Sequence, residues 1–303
     1  MAHEGSTKAI IAALIANLGI AITKFIAYLI SGAASMLAES VHSLADTTNQ
    51  FLLIIGGKQA KKAATEEHPF GYGRSRYVYA FIVSVVLFTV GGMFSIYEGL
   101  DKLQHPHELE NIWIPIAVLV IGIALEGYSL RTAIKESKPF KGKNTWFQFI
   151  RRAKSPELPV VLLEDTAAEL GLLFALAGVG LSAITGNPIW DAIATLAIGG
   201  LLVVVAIILG LEMASLLIGE GGSAAHVYKI RKALEGATGI TAVIHMKTLY
   251  LGPDELMLAA KIGVEKNATG QEIAQVIDHA EKSVREAVPI TRVIYLEPDI
   301  PRN

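Results

Sequence analysis

The chain has no cysteine among its 303 residues. That excludes disulfides, thiolate metal ligands and iron–sulfur clusters, so any metal site must use carboxylate, imidazole, amide or water. Such donors suit Zn²⁺, Mn²⁺, Fe²⁺ or Co²⁺ better than Cu⁺. Charge is also scarce. Asp, Glu, Lys and Arg make up only 18% of the residues, and the formal net charge of −2 offers no basic excess for nucleic acid. Two common hydrolase signatures, His-Glu-x-x-His and Gly-x-Ser-x-Gly, do not occur. No cleavable signal with a small-residue cleavage site precedes the first apolar run, which is therefore read as a span that stays. The short polar start points to a bacterial-type cytoplasmic membrane.

Apolar residue is abundant: 52% of the chain is hydrophobic, with a mean hydropathy of +0.47. It falls in six runs, near residues 10–30, 33–55, 77–100, 112–134, 158–184 and 189–218. Each approaches the roughly 20 residues a helix needs to cross about 30 Å of hydrocarbon. Only a helix satisfies its own backbone groups there, and the alternation of a β-barrel is absent. Lys58, Lys61, Lys62, Arg74 and Arg76 follow the second run, and Lys135, Lys138, Lys141, Lys143, Arg151, Arg152 and Lys154 follow the fourth. Both loops are read as cytosolic, and with an even number of spans so are both termini. The basic run also suits anionic lipid headgroups.

After Gly219-Glu220-Gly221-Gly222 the composition turns soluble. A helix is expected over 225–234, strands over 240–248 and 255–264 around a Gly252-Pro253-Asp254 turn, and a last strand over 292–296. Between the strands, Thr269 with Glu272 three residues on is a capping box opening a helix to about 288. The expected fold is thus an α-helical polytopic membrane domain of six transmembrane helices, residues 1–218. A small α+β (α-β-β-α-β) cytosolic domain follows over residues 219–303. About 80 residues is marginal for a lone domain, so a dimer partner is plausible.

Two apolar runs carry residues that do not belong in lipid. The second holds Glu39, His42 and Asp46, three and four residues apart on one helix face, with Asn49 on the same stripe. The fifth holds Asp165 and Glu169, four apart, beside Glu164. An Asp at a helix centre costs about 2.5–3.5 kcal/mol to insert. An interhelical hydrogen-bond network would need Lys or Arg to balance five acids, and these two runs offer none near the clusters. The carboxylates must be protonated or meet a cation. His42, Asp46, Asp165 and Glu169 can supply one nitrogen and several oxygens to one ion from two facing helices. Glu39 is a candidate proton relay, or a residue near the membrane edge. His68 is either a peripheral ligand or a cap for the loop before the third span.

These residues carry a resemblance. SMLAESVHSLAD (35–46) resembles the second span of cation diffusion facilitators, with His42-x-x-x-Asp46 in the ligand positions. HPFGYGR (68–74) is similar to the family's signature before span three. Asp165-x-x-x-Glu169 stands where the family usually has His-x-x-x-Asp. LGPDE (251–255) and LLEDTAAELG (162–171) resemble the zinc-transporter-nine-like branch. The resemblance covers nearly the whole chain. It implies a homodimer that exports a divalent cation, Zn²⁺ foremost, in exchange for protons by alternating access, with His42, Asp46, Asp165 and Glu169 as the central site. No resident cofactor is implied beyond the transported metal.

Two departures stand out. With a single imidazole the cage is harder and richer in oxygen, which leaves Mn²⁺, Fe²⁺ or Co²⁺ open as cargo. The tail holds only His226, His245 and His279, and has Tyr295 where the last strand often has His, so a dimerising role is expected of it. A membrane metalloenzyme would need an open metal position, a base and a water path. A sensor that binds without moving the ion is a third reading.

Three ionised carboxylates and a neutral imidazole sum to −3, and a divalent cation reduces this to −1. Metal must displace protons from such a site, so competition at one alternately exposed site is enough for exchange. His42→Ala or Asp165→Ala is predicted to abolish transport in a liposome flux assay; full activity in either variant would rule this site out.

Overall fold

The computed structural model describes residues 2–300, with side chains from residue 17 onward. Long helices occupy all six apolar runs: α1 (Ala2–Ser31), α2 (Ala34–Gln59), a third span made of α3 (Ser75–Val86), a π-helical segment (Leu87–Met93) and α4 (Phe94–Gln104), then α5 (Trp113–Lys141), α7 (Glu157–Thr185) and α8 (Ile189–Ile218). Among the described residues, four of these spans are long and apolar enough to cross a membrane by themselves: Ser75–Gln104, Trp113–Lys141, Glu157–Thr185 and Ile189–Ile218. The polar stripe lowers the hydropathy of α2, and the described apolar stretch of α1, Asn17–Ser31, is shorter. The chain forms two compact units, Met1–Gly56 with Val78–Met213, and Gly57–Tyr77 with Ala214–Asn303.

In the first unit, small residues set how closely the spans pack. A Cβ on Gly92 would stand 2.7 Å from Val203 Cγ2, and one on Gly199 would stand 2.8 Å from the backbone nitrogen of Ile96. The third span and α8 therefore meet through reciprocal glycines, at the π-helical segment that holds Gly91 and Gly92. The N-terminus of α2 is tied down from α8. The Asp191 carboxylate accepts from the backbone N–H of Ala34 at 2.7 Å and of Ser35 at 3.4 Å, and from the Ser35 hydroxyl. Those N–H groups lack intrahelical partners, and the negative charge suits the positive end of the helix dipole. Lys102 donates to the Gly32 carbonyl at 2.7 Å beside the α1–α2 turn.

The basic stretch after the fourth run differs from its reading as a loop. Helix α5 continues to Lys141, and a short helix α6 (Trp146–Arg152) follows, opened by a Thr145/Gln148 capping box. Its Phe149 buries against Ala133 of α5 and Leu162 of α7, which gives this segment an apolar anchor that its charge obscures.

In the second unit, helix α9 (Ala224–Glu235) precedes strands β1 (Ala242–Gly252) and β2 (Glu255–Gly263), then helix α10 (Gly270–Ala287) and strand β3 (Thr291–Asp299). The sheet order is β1-β2-β3, with β1–β2 antiparallel and β2–β3 parallel. Inward-facing Leu256, Leu258 and Ala260 of β2 pack with Ile230 and Leu234 of α9 and Ala280 and Val284 of α10. This is the expected α-β-β-α-β order. Strand β3 runs past the expected 292–296 and includes Pro298, which an edge strand tolerates because no ladder donor is lost inward.

The α10 capping box is formed as expected. Glu272 N–H donates to Thr269 Oγ1 at 3.3 Å, and Thr269 N–H donates to Glu272 Oε2 at 2.7 Å. The Thr269 N–H and, next, its hydroxyl, both donating to Glu272 Oε2, hold that carboxyl below its usual range. Thr269→Ala is expected to cost about 1 kcal/mol and to speed amide exchange in the first turn of α10 roughly fivefold. Unchanged exchange would contradict the cap.

Candidate metal site

Helices α2 and α7 turn their acids into the same unit, and α5 joins them. A cavity of about 90 Å³ is walled by Ser43 and Asp46 of α2, Glu126 and Ser129 of α5, Glu164 and Asp165 of α7, and Asn17 of α1. This is room for an ion with a few waters. His42, 1% exposed, places Nε2 3.5 Å from Oδ2 of Asp46, the i,i+4 contact the spacing predicts. Asp165 Oδ2 accepts from the Ser129 hydroxyl at 2.9 Å. Glu164 Oε1 accepts from Asn49 Nδ2 at 2.7 Å. Glu169 lies one turn beyond Asp165, its carboxylate beside Gly127 of α5, and it is not among the cavity's walls.

Several of these groups are buried and unsatisfied. Both ring nitrogens of His42, Oδ1 of Asp46, Oε2 of Glu169 and Oδ1 of Asn49 have no hydrogen-bond partner. Buried polar atoms without partners are rare and costly, and they cluster where a ligand or a function occupies the site. Among the described residues, however, no three His, Asp or Glu side chains stand close enough together to hold one metal ion. The four-residue cage expected from the sequence is thus not closed in this arrangement. Asp46 and Asp165 share the cavity, His42 adjoins it through Asp46, and Glu169 lies apart. The hydrogen bonds from Ser129 and Asn49 hold two carboxylates on α7 where they are.

The second and fifth runs offer no Lys or Arg near the clusters, as read, but the first run supplies one. Lys24 of α1, 1% exposed, donates to Glu39 Oε2 at 3.0 Å and to Ser43 Oγ at 2.8 Å, and Glu39 is fully buried. Glu39 is therefore an ion-pair partner, seated where a Cβ on Gly171 would stand 2.5 Å from its Oε1. Sequence reasoning missed Lys24, Glu126 and Ser129 as well as Asp191. For Lys24 the available signal was a lone charged residue inside an otherwise apolar run; Glu126 and Asp191 share their runs with Arg131 and Glu212, and the uncharged Ser129 gave no signal. His68 belongs to the second unit, where its backbone N–H donates to Thr65 Oγ1 at 3.1 Å and its ring meets Tyr72 edge-on at 4.5 Å. Of the tail histidines, His226 has Nδ1 3.2 Å from the Tyr250 hydroxyl, and burial and Lys229 keep its ring below its ordinary range.

A bundle of apolar helices with carboxylates around one cavity and a buried imidazole beside them defines an integral membrane protein built to handle cations. Residues 10–218 match the cation efflux transmembrane domain, and the chain belongs to the cation efflux family, a family of transporters and not of enzymes. It is 33% identical over 262 residues to the Mus musculus proton-coupled zinc antiporter SLC30A9, mitochondrial, covering 86% of this chain and 46% of that protein. It is 31% identical over 261 residues to Arabidopsis thaliana metal tolerance protein C4, covering 86% and 57%. It is 25% identical over 261 residues to the magnetosome protein MamM of Magnetospirillum gryphiswaldense, covering 84% and 76%. The family and the zinc-transporter-nine-like branch expected from the motifs are thereby borne out. The chain spans about half the length of the zinc antiporters it matches. A solved MamM C-terminal domain aligns with 26% of this chain and 94% of its own length, at 22% identity and a TM-score of 0.25.

Proposed function

We propose that this protein exports a divalent metal cation, Zn²⁺ foremost, from the cytosol in exchange for protons by alternating access. The observation that carries the reading is the set of unsatisfied buried donors: His42, Asp46 and Glu169 each present an unpartnered nitrogen or oxygen. Asp165 shares a cavity with Asp46. The cargo site consists of His42, Asp46, Asp165 and Glu169, with Asn49 and Glu164 holding the outer positions. Similarity to the zinc antiporters favours Zn²⁺ and protons. The oxygen-rich donor set keeps Mn²⁺, Fe²⁺ and Co²⁺ as competing cargo.

Empty, the carboxylates repel one another and take up protons; a divalent ion displaces those protons, so one site exchanges both. For the cage to close, Asp165 must leave Ser129, and Glu169 must turn toward α2. Closing and opening of this kind on opposite faces is the motion that alternating access requires. The basic loops favour cytosolic termini, and the reading sets the protein in a bacterial-type cytoplasmic membrane whose anionic lipids meet the 135–154 stretch. Residues 219–303 form the cytosolic domain through which two chains pair; residues 1–218 form the transport domain.

Purified protein in liposomes with an internal metal-sensitive dye tests the reading. Zn²⁺ flux is expected to rise when a proton gradient opposes it and to fall in competition with Mn²⁺, Fe²⁺ or Co²⁺ according to their affinities. Zn²⁺ binding without flux would replace this reading with that of a sensor.

A further inference from the structure

A lysine buried beside a site for divalent cations needs a physical reason. Lys24 sits midway along an apolar run, is 1% exposed, and places its ammonium against Glu39 and Ser43. Taking both charges of such a pair out of water costs several kcal/mol per ion, about what a well-made buried pair regains only when every remaining donor and acceptor is satisfied. This pair does not meet that condition. Glu39 Oε1 is buried with no hydrogen-bond partner, and Lys24 makes two hydrogen bonds with three N–H groups among the described residues. As structural glue between α1 and α2 the pair is poor, and the Ser40 hydroxyl already joins these helices by donating to the Ala21 carbonyl at 2.9 Å.

The placement indicates another use. Ser43, which accepts from Lys24, is one residue from His42, three from Asp46, and part of the cavity wall. The ammonium is therefore one hydrogen bond from the cavity, and Glu39 is one helical turn from His42 on the same face of α2. A fixed positive charge at this distance repels a divalent ion in the cavity, and the low dielectric strengthens the effect. It also occupies a carboxylate that would otherwise be free to turn toward the ion.

We propose that Lys24 is an affinity-setting residue of the transport site: its buried ammonium, held one hydrogen bond behind the cavity wall by Glu39 and Ser43, opposes the arriving divalent cation and keeps Glu39 out of the ligand set. A cage of several carboxylates would bind a divalent ion too tightly to let it go. A tethered cation weakens that hold, and release on the far side speeds up as a result. This inference rests on the reading of the α2–α7 cavity as the cargo site.

The test is Zn²⁺ binding by calorimetry on the full chain in lipid nanodiscs, with Zn²⁺ flux in liposomes. Lys24→Met is expected to bind Zn²⁺ at least about tenfold more tightly. In flux, KM and maximal rate should fall together, because release becomes limiting. Lys24→Arg, which keeps the charge, is expected to stay near wild-type affinity. Glu39→Gln, which leaves the ammonium uncompensated, is expected to bind more weakly. If Lys24→Met does not fold, the double variant Lys24→Met/Glu39→Gln, which carries neither charge, replaces it. Set against Glu39→Gln alone, it should show the same tightening.

Unchanged or weaker Zn²⁺ binding on removal of Lys24 in either comparison overturns the inference. Asp46→Asn separates the two levels of the argument. If it retains wild-type Zn²⁺ binding, the site reading fails and this inference falls with it. If it abolishes binding while Lys24→Met leaves affinity unchanged, this inference alone fails.

Discussion

Carboxylates placed in hydrocarbon with too few cations to match them are the constraint on which the rest of this protein depends. Asp46, Glu126, Glu164 and Asp165 wall one cavity, and the buried Lys24, bonded to Ser43 of that wall, is already paired with Glu39. Such a group of acids is stable in two ways only: protonated, or around a cation. That choice is what the proposed exchange of metal for protons uses. The helices fit this role. Asp191 pins the start of α2, and reciprocal glycines lock the third span to α8. The α7 acids hang on single hydrogen bonds from Ser129 and Asn49 that can be exchanged for metal bonds.

Two kinds of polar burial therefore coexist in the first unit. At Asp191 every carboxylate oxygen meets a donor, and the result is a helix cap that fixes geometry. At His42, Asp46 and Glu169 the buried atoms lack partners. Full satisfaction rigidifies a site; incomplete satisfaction leaves it able to take a ligand. Lys24 and Glu39 lie between these cases, charge-paired but not fully bonded, and so are suited to tune the site and not to seal it.

Much of this was legible in the amino-acid order. Six apolar runs became six long helices because segments of that length in lipid have no other way to pair their backbone. The α-β-β-α-β tail followed from turn residues and from a capping box that formed as written. The stripes on α2 and α7 were readable because i, i+3 and i+4 spacing survives in sequence. What could not be read were partnerships between single residues on different helices. Lys24 is the one charged residue of its run, Glu126 shares its run only with Arg131 and Asp191 only with Glu212, none at i+3 or i+4 spacing, and their meaning comes only from the neighbour that packing supplies. Helix α6 was hidden for another reason: its basic residues read as a loop, while the buried Phe149 that fastens it contributes a single apolar position to the pattern.

The central claim is that the acids of α2 and α7 close on one doubly charged ion. A structure of the full chain in lipid, determined with Zn²⁺ and with zinc located by anomalous scattering, tests it most directly. The account predicts one zinc in the membrane part, with oxygens of Asp46 and Asp165 about 2.0–2.2 Å away and the Ser129–Asp165 bond broken. Zinc bound only outside this cavity, with Asp165 still held by Ser129, would contradict it.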